Sequence, residues 1–243
     1  MRGPSALQIG NEEGIDPSYQ PLHGYRDHFD LVAGAVRKRY PDVEVIASGA
    51  CSWSATPGPP AGSAQPPPFC MNSSAGLTLW DTHYYGTVEG MIAMNSTFDY
   101  FPRQDLPPII VGEYSAGNDN VPGASEPPYM TLRAALAEAM FMVNFEENAD
   151  VVKASSYAPM MMRWLPDGVM PMSLIPCQIV FNSSTLFLAP SYFVQRMFRD
   201  ALLDTTINVT QLHAGSPSQS IAKAVASVGS AENGSQNASV KIM

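Results

Sequence analysis

The stretch that most constrains this chain is Pro108-Ile109-Ile110-Val111-Gly112-Glu113-Tyr114-Ser115-Ala116. A short run of β-branched apolar residues, stopped by Gly112, reads as a strand buried on both faces. The residue just past its end is a carboxylate. Parallel strands of an α/β fold are buried in this way, and their C-terminal ends open onto the loops that build sites. Glu113 is therefore a candidate functional residue; taken singly, a solvated loop glutamate or a helix cap explains it as well. A second stretch, Ala6-Leu7-Gln8-Ile9-Gly10-Asn11-Glu12-Glu13, repeats the pattern: an apolar run, a glycine, then a glutamate. Two strand-end carboxylates in one parallel sheet are what glycoside hydrolysis requires, one to donate a proton to the leaving oxygen and one to attack or to activate water.

Along the chain, strands are expected at Leu7 to Gly10, Val43 to Ala47, Leu77 to Trp80, the Glu113 stretch and Val151 to Ser155. Between them, Phe29, Val32, Ala33, Val36 and Tyr40 fall at helical spacing, with Arg37, Lys38 and Arg39 in the last turn and Pro41 as the stop. A helix is expected over Val88 to Tyr100, interrupted at Asn95-Ser96-Thr97. Leu132, Ala135, Leu136, Ala139, Met140 and Val143 form the clearest amphipathic stripe, and Pro190 sets the start of a helix over Ser191 to Ala201. The Pro/Gly/Ser-rich segment from Ser48 to Ser74 reads as a long surface loop, Met160 to Leu188 as irregular, and Thr205 to Leu212 as a strand. Beyond His213 the composition predicts a poorly ordered tail. Strands alternating with helices predict an α/β class with a parallel sheet and the (β/α)₈ barrel as its architecture. Five strand candidates against the eight of a closed barrel predict only part of one, the C-terminal part of a larger enzyme.

A formal charge of -9 argues against binding a phosphate backbone or an anionic membrane surface, and no apolar run reaches the length of a membrane span. A neutral substrate fits better. The start of the chain carries no apolar signal-peptide core. Six Asn-x-Ser/Thr sequons, at Asn72, Asn95, Asn182, Asn208, Asn233 and Asn237, nevertheless favour a secreted glycoprotein whose signal peptide is not in this sequence. Of three cysteines, Cys51 and Cys70 bracket the Pro/Gly-rich loop and either pair in an oxidising compartment or remain thiols, leaving Cys177 free. His23, His28 and Cys51 show no metal-ligand spacing, so no metal and no cofactor are expected. There is no phosphate-binding Gly-rich loop and no Ser/His/Asp signature.

With these residues in view, the chain resembles the α-L-arabinofuranosidases of glycoside hydrolase family 51, within the clan A barrels. Ile9-Gly10-Asn11-Glu12 is similar to the family's acid/base motif at the fourth barrel strand. Asp81-Thr82-His83-Tyr84-Tyr85 resembles its sixth-strand segment, and Val111-Gly112-Glu113-Tyr114 its nucleophile motif at the seventh. Ala135 to Ala139, Asn148 to Lys153, Ser156 to Pro159 and Pro190 to Gln195 follow in the family's order, and the similarity runs from about Leu7 to Phe198.

The resemblance implies a partial (β/α)₈ TIM barrel over residues 1–202, about its fourth to eighth strands. Residues 203–243 would begin a C-terminal β-sandwich and end in a low-complexity tail. It implies a retaining, exo-acting hydrolase of terminal α-L-arabinofuranosyl groups on arabinan or arabinoxylan, with oligomerisation open. Glu12 would be the general acid and then base, Glu113 the nucleophile, their carboxyls about 5 Å apart. Asn11 would hold a sugar hydroxyl, and Tyr85 or its neighbour Tyr84 would hydrogen-bond the nucleophile; read from the residues themselves, His83 is a candidate substrate ligand and Trp164 a candidate stacking platform or equally a lid over the core. For His83 a supporting role behind the substrate ligands is an equal alternative, Asp81 would fix a neighbouring loop, and Glu13 would face solvent or pair with a cation. Two other functions stay open: a clan A retaining glycosidase acting on xylan or β-glucan with the same carboxylates, and a truncated, inactive remnant.

Overall fold

The computed structural model describes residues 5–13, 22–49, 51–52, 69–117, 130–163, 176–207, 209, 224–230 and 236–242. In chain order the elements are β1 (Ala6–Ile9), α1 (Leu22–Arg39), β2 (Glu44–Ser48), β3 (Cys51–Ser52), β4 (Phe69–Cys70), β5 (Leu79–Gly86), α2 (Val88–Ala93), a 3₁₀ turn (Thr97–Tyr100), β6 (Ile109–Ala116), α3 (Leu132–Glu147), β7 (Val152–Ser155), β8 (Met161–Arg163), β9 (Ile179–Phe181), β10 (Leu186–Leu188), α4 (Pro190–Asp200), β11 (Thr205–Ile207), β12 (Ala224–Ser230) and β13 (Gln236–Ile242). One sheet has the order β1-β2-β5-β6-β7, with parallel registers between β1 and β2, β2 and β5, and β6 and β7. The expected α/β class with a parallel sheet is therefore found, beside separate small sheets.

The chain divides into two compact units. The first comprises Met1–Tyr84, Tyr100–Glu113 and Asp150–Ser156. Its core is the apolar face of α1, with Phe29 and Ala33 wholly buried, together with Val45, Ala47, Trp80, Ile109 and Val111 from the strands. Arg37, Lys38 and Arg39 occupy the last turn of α1, where the helix dipole favours cations. The Asp30 carboxylate on α1 accepts hydrogen bonds from the Ser73 and Ser74 hydroxyls and from the Ser74 and Ala75 amides, and these hold its pKa down to about 2, the Ser73 hydroxyl foremost. This anchors the far end of the segment expected to be one long loop. Within that segment β3 and β4 pair antiparallel, and the register sets Cys51 opposite Cys70.

The second unit comprises Tyr85–Asp99, Tyr114–Ala149 and Tyr157–Met243. Its centre is α3, capped by the Thr131 hydroxyl, which accepts the Ala134 amide at 3.1 Å. The expected apolar stripe is only partly the buried face. Ala135, Ala139, Met140 and Val143 are buried, but Leu132 and Leu136 are exposed, while Glu138 and Asn144 are fully buried. Helix α3 packs against α2, α4 and β12, so its polar residues turn inward where partners meet them. Asn144 accepts the Phe98 amide at 2.9 Å and donates to Asp99 at 2.7 Å. Phe98, Tyr114, Phe141, Phe145 and Tyr157 form one aromatic cluster with ring centroids 4.6 to 6.1 Å apart.

Two expectations are corrected here. The segment read as irregular contains β8, β9 and β10, a three-stranded sheet of order β10-β9-β8. The segment read as a poorly ordered tail contains β12 and β13, which with β11 make an antiparallel sheet. Its small polar residues hid a strand anchored by an ion pair: buried Lys241 meets Glu146 of α3 at 2.7 Å, donates to the Ala201 carbonyl and lies over the Phe198 ring. The Val88 to Tyr100 helix is interrupted about where expected, residues 94–96 separating α2 from the 3₁₀ turn.

Glu138 is the fully buried carboxylate of α3. Its Oε1 accepts the Ala116 amide at 3.0 Å and the Tyr157 hydroxyl at 3.1 Å, joining the end of β6 to the residue that follows Ser156 after β7. Burial pushes its pKa up to about 7, against the lowering influence of Ser191, the Ala116 amide and Tyr157. A carboxyl whose pKa is higher folded than unfolded contributes stability below the unfolded value and loses it as pH rises through the folded one. Glu138→Gln keeps an acceptor oxygen for both donors and cannot ionise. Raising the pH from 5 to 8 is expected to cost the native chain on the order of 2–3 kcal/mol more than this variant, read by denaturant unfolding at both pH values.

Candidate functional site

The two glutamates are presented by different backbone devices. After β1 the chain turns through Gly10 at φ +81° and Glu12 at φ +63°. A left-handed conformation at a non-glycine residue costs about 1 kcal/mol or more and persists only where neighbours impose it. Here they do: the Glu12 amide donates to the Ser48 hydroxyl at 2.7 Å, the Ser48 amide donates to the Tyr25 hydroxyl at 2.6 Å, and that hydroxyl donates to the Ile9 carbonyl at 2.7 Å. Burial pushes the Tyr25 phenol up to about 12, so it remains a donor. A Cβ on Gly10 would lie 2.3 Å from Glu13 Oε2, an atom buried beneath the turn rather than facing solvent as expected.

Gly112 does not end its strand; β6 continues through Glu113 to Ala116. The glycine is there because a Cβ at that position would sit 2.0 Å from Asp81 Oδ1. Asp81 is fully buried on β5, which likewise runs on to Gly86 rather than stopping at Trp80. Its Oδ2 accepts Gln8 Nε2 at 3.0 Å and lies 2.9 Å from His83 Nε2. With one ring nitrogen held by Asp81, His83 turns Nδ1 toward both glutamates, 2.8 Å from Glu12 Oε1 and 3.5 Å from Glu113 Oε2. One atom from each of the three residues lies within 4.8 Å of the others. The His83 side chain is 4% exposed, against 47% for Glu12 and 30% for Glu113, so the carboxylates face open space with the imidazole behind them. Burial alone would lower the His83 pKa, but hydrogen bonds to Asp81 and Glu12 and the charges of Asp81 and Glu113 outweigh it and lift the value to about 9.

The structure thus brings together Glu12, His83 and Glu113. Asn11 is exposed at the turn beside Glu12, and Tyr85 is exposed two residues after His83. Trp164 lies outside the described residues. Sequence reasoning missed Gln8, Tyr25 and Ser48, whose polar atoms serve the site through contacts between residues 16 to 73 positions apart. Asp81 was read as a loop anchor; its carboxylate instead holds the histidine.

A family model described as the α-L-arabinofuranosidase C-terminal domain matches residues 112–242. The chain belongs to this family. Among the chain's curated relatives, α-L-arabinofuranosidase 1 of Arabidopsis thaliana is 31% identical over 210 residues, covering 84% of this chain and 25% of its own length. The probable α-L-arabinofuranosidase A of Aspergillus oryzae is 30% identical over 217 residues, covering 87% and 29%. An arabinose-bound family 51 α-L-arabinofuranosidase superposes with a TM-score of 0.66 at 20% identity, over 93% of this chain and 32% of that one. The fold is therefore shared with part of such enzymes, and this arabinofuranosidase-family chain spans about a quarter of the curated relatives' length. Among the described residues no helix is long and apolar enough to cross a membrane.

The tight approach of Asp81 to Gly112 gives a direct test. Gly112→Ala must displace the buried carboxylate and is expected to destabilise the chain by roughly 1–3 kcal/mol. Asp81→Ala removes the clash along with the tie to His83, so the double variant should lose clearly less than the sum of the two single losses, read as a double-mutant cycle in denaturant.

Proposed function

We propose that this chain carries the catalytic pair of a retaining glycoside hydrolase that releases terminal α-L-arabinofuranosyl groups from arabinan- or arabinoxylan-type polysaccharides. The observation that carries the reading is the approach of Glu12 and Glu113, whose nearest oxygens lie within 4.8 Å of one another and of His83 Nδ1. Retention requires carboxyls about 5–5.5 Å apart, close enough for one to reach the anomeric carbon while the other reaches the glycosidic oxygen. Inversion requires about 6.5–9.5 Å, to leave room for water.

In the first step a Glu113 oxygen attacks the anomeric carbon, the bond to the leaving oxygen breaks, and Glu12 gives that oxygen its proton. In the second, Glu12 takes a proton from water, whose oxygen displaces Glu113 and frees the sugar. His83 holds both carboxylates in register; its ring is enclosed and faces them, which favours the supporting role over contact with sugar. By resemblance Asn11 holds a sugar hydroxyl and Tyr85 hydrogen-bonds the nucleophile, and both are exposed as groups lining a sugar site must be; Trp164 is a stacking platform for substrate in the same reading.

The same reading takes residues 1–202 as part of a (β/α)₈ barrel and 203–243 as the start of a β-sandwich. The parallel sheet β1-β2-β5-β6-β7 and the antiparallel sheet of β11, β12 and β13 support it. Secretion and glycosylation fit the exposed sequon asparagines Asn72, Asn182 and Asn237.

The test is turnover of 4-nitrophenyl α-L-arabinofuranoside by the purified chain. Glu113→Ala should lower kcat by roughly 10³-fold or more. Glu12→Ala should cost much less on this substrate, whose phenolate leaves without a proton, than on an arabino-oligosaccharide. Unchanged kcat in Glu113→Ala, or equal losses on both substrates in Glu12→Ala, contradicts the assignment.

A further inference from the structure

Glu12 follows β1, His83 lies on β5 and Glu113 on β6, so no local spacing in the sequence marks them as a ligand set. In space they present two carboxylate oxygens and one imidazole nitrogen within 4.8 Å of one another. We propose that these three side chains form a binding site for a divalent transition-metal ion of the zinc class, open at its fourth position, which blocks both carboxylates when filled.

Three observations support the site. The first is ligand type and spacing. Zinc takes imidazole nitrogen at about 2.0–2.1 Å and carboxylate oxygen at about 2.0–2.2 Å. Ligand atoms around a tetrahedral ion then lie about 3.3–3.6 Å apart. His83 Nδ1 is 2.8 Å from Glu12 Oε1 and 3.5 Å from Glu113 Oε2, so rotation of the half-exposed Glu12 carboxyl closes the set. The second is the support behind the histidine. Protein metal sites hold a ligating imidazole by a carboxylate on its other nitrogen, and Asp81, fully buried and steadied by Gln8, stands 2.9 Å from Nε2. The third is access: His83 is enclosed at the back while Glu12 and Glu113 open outward, leaving the fourth position to water or another small ligand. The net charge of -9 adds a favourable field for a cation.

The site stands on its own geometry; only its inhibitory consequence rests on the glycosidase reading. Titration calorimetry of the full chain with Zn²⁺ alone, near neutral pH, is expected to show one ion bound per chain with a micromolar Kd. Glu12→Gln, at an exposed position that leaves the fold intact, should weaken binding at least 10-fold. Asp81→Asn should weaken it roughly 10–100-fold. His28→Gln, on the exposed face of α1, should leave it unchanged. No saturable binding, or native affinity retained in Glu12→Gln, overturns the proposal. Hydrolysis of the nitrophenyl arabinofuranoside should fall in proportion to zinc occupancy and return on adding a chelator. Full hydrolysis at saturating zinc overturns the proposal. Zinc binding lost in Glu12→Gln by a chain without hydrolytic activity upholds the metal site and sinks the glycosidase reading instead.

Discussion

The site rests on a carboxylate that never meets solvent. Asp81 is fully buried on β5, and burying a charge is expensive unless its oxygens find partners. Gln8 and His83 supply them at one oxygen, and the other lies against Gly112, where no side chain could stand. Because the Asp81 position is fixed by the sheet, the imidazole is fixed too, and with it the point where Glu12 and Glu113 converge. Flexible glutamates gain a common reference without losing their open faces. The raised pKa of His83 follows from the same arrangement: three carboxylates around an enclosed ring outweigh the penalty of burying its charge.

The left-handed turn at Glu12 belongs to the same logic. Local strain survives because Ser48, Tyr25 and the Ile9 carbonyl form a continuous hydrogen-bonded chain from β1 to the end of β2. In the second unit Glu138 plays a comparable part, joining the backbone at Ala116 to Tyr157 from within α3. Buried polar groups of this kind contribute position rather than net stability, since their hydrogen bonds do little more than offset desolvation.

Much of this was legible in the sequence, and the parts that were not share a cause. The parallel strands declare themselves through apolar runs such as Ile109-Ile110-Val111, and the pattern of apolar run, glycine and carboxylate marks Glu12 and Glu113, although Glu113 lies inside β6 rather than past its end. What failed were inferences that read a residue only by its neighbours in the chain. Gly112, expected to end its strand, makes room for Asp81 from another strand. Leu132 and Leu136 of the apolar stripe lie exposed, whereas Glu138 is buried because Ala116 and Tyr157, both distant in sequence, reach its oxygen. The strand that carries Lys241 is hidden by small polar residues, because its anchor is an ion pair with Glu146 from α3.

The central claim is that Asp81 and His83 hold Glu12 and Glu113 at the spacing of a two-step, retaining displacement. Turnover of an aryl α-L-arabinofuranoside in buffer containing methanol, followed by proton NMR, tests it most directly, because the methyl glycoside preserves the configuration set at the enzyme. The account predicts methyl α-L-arabinofuranoside, formed by methanol intercepting the Glu113-linked sugar. Formation of the β anomer, or release of arabinose with inverted configuration and no transfer to methanol, would contradict it.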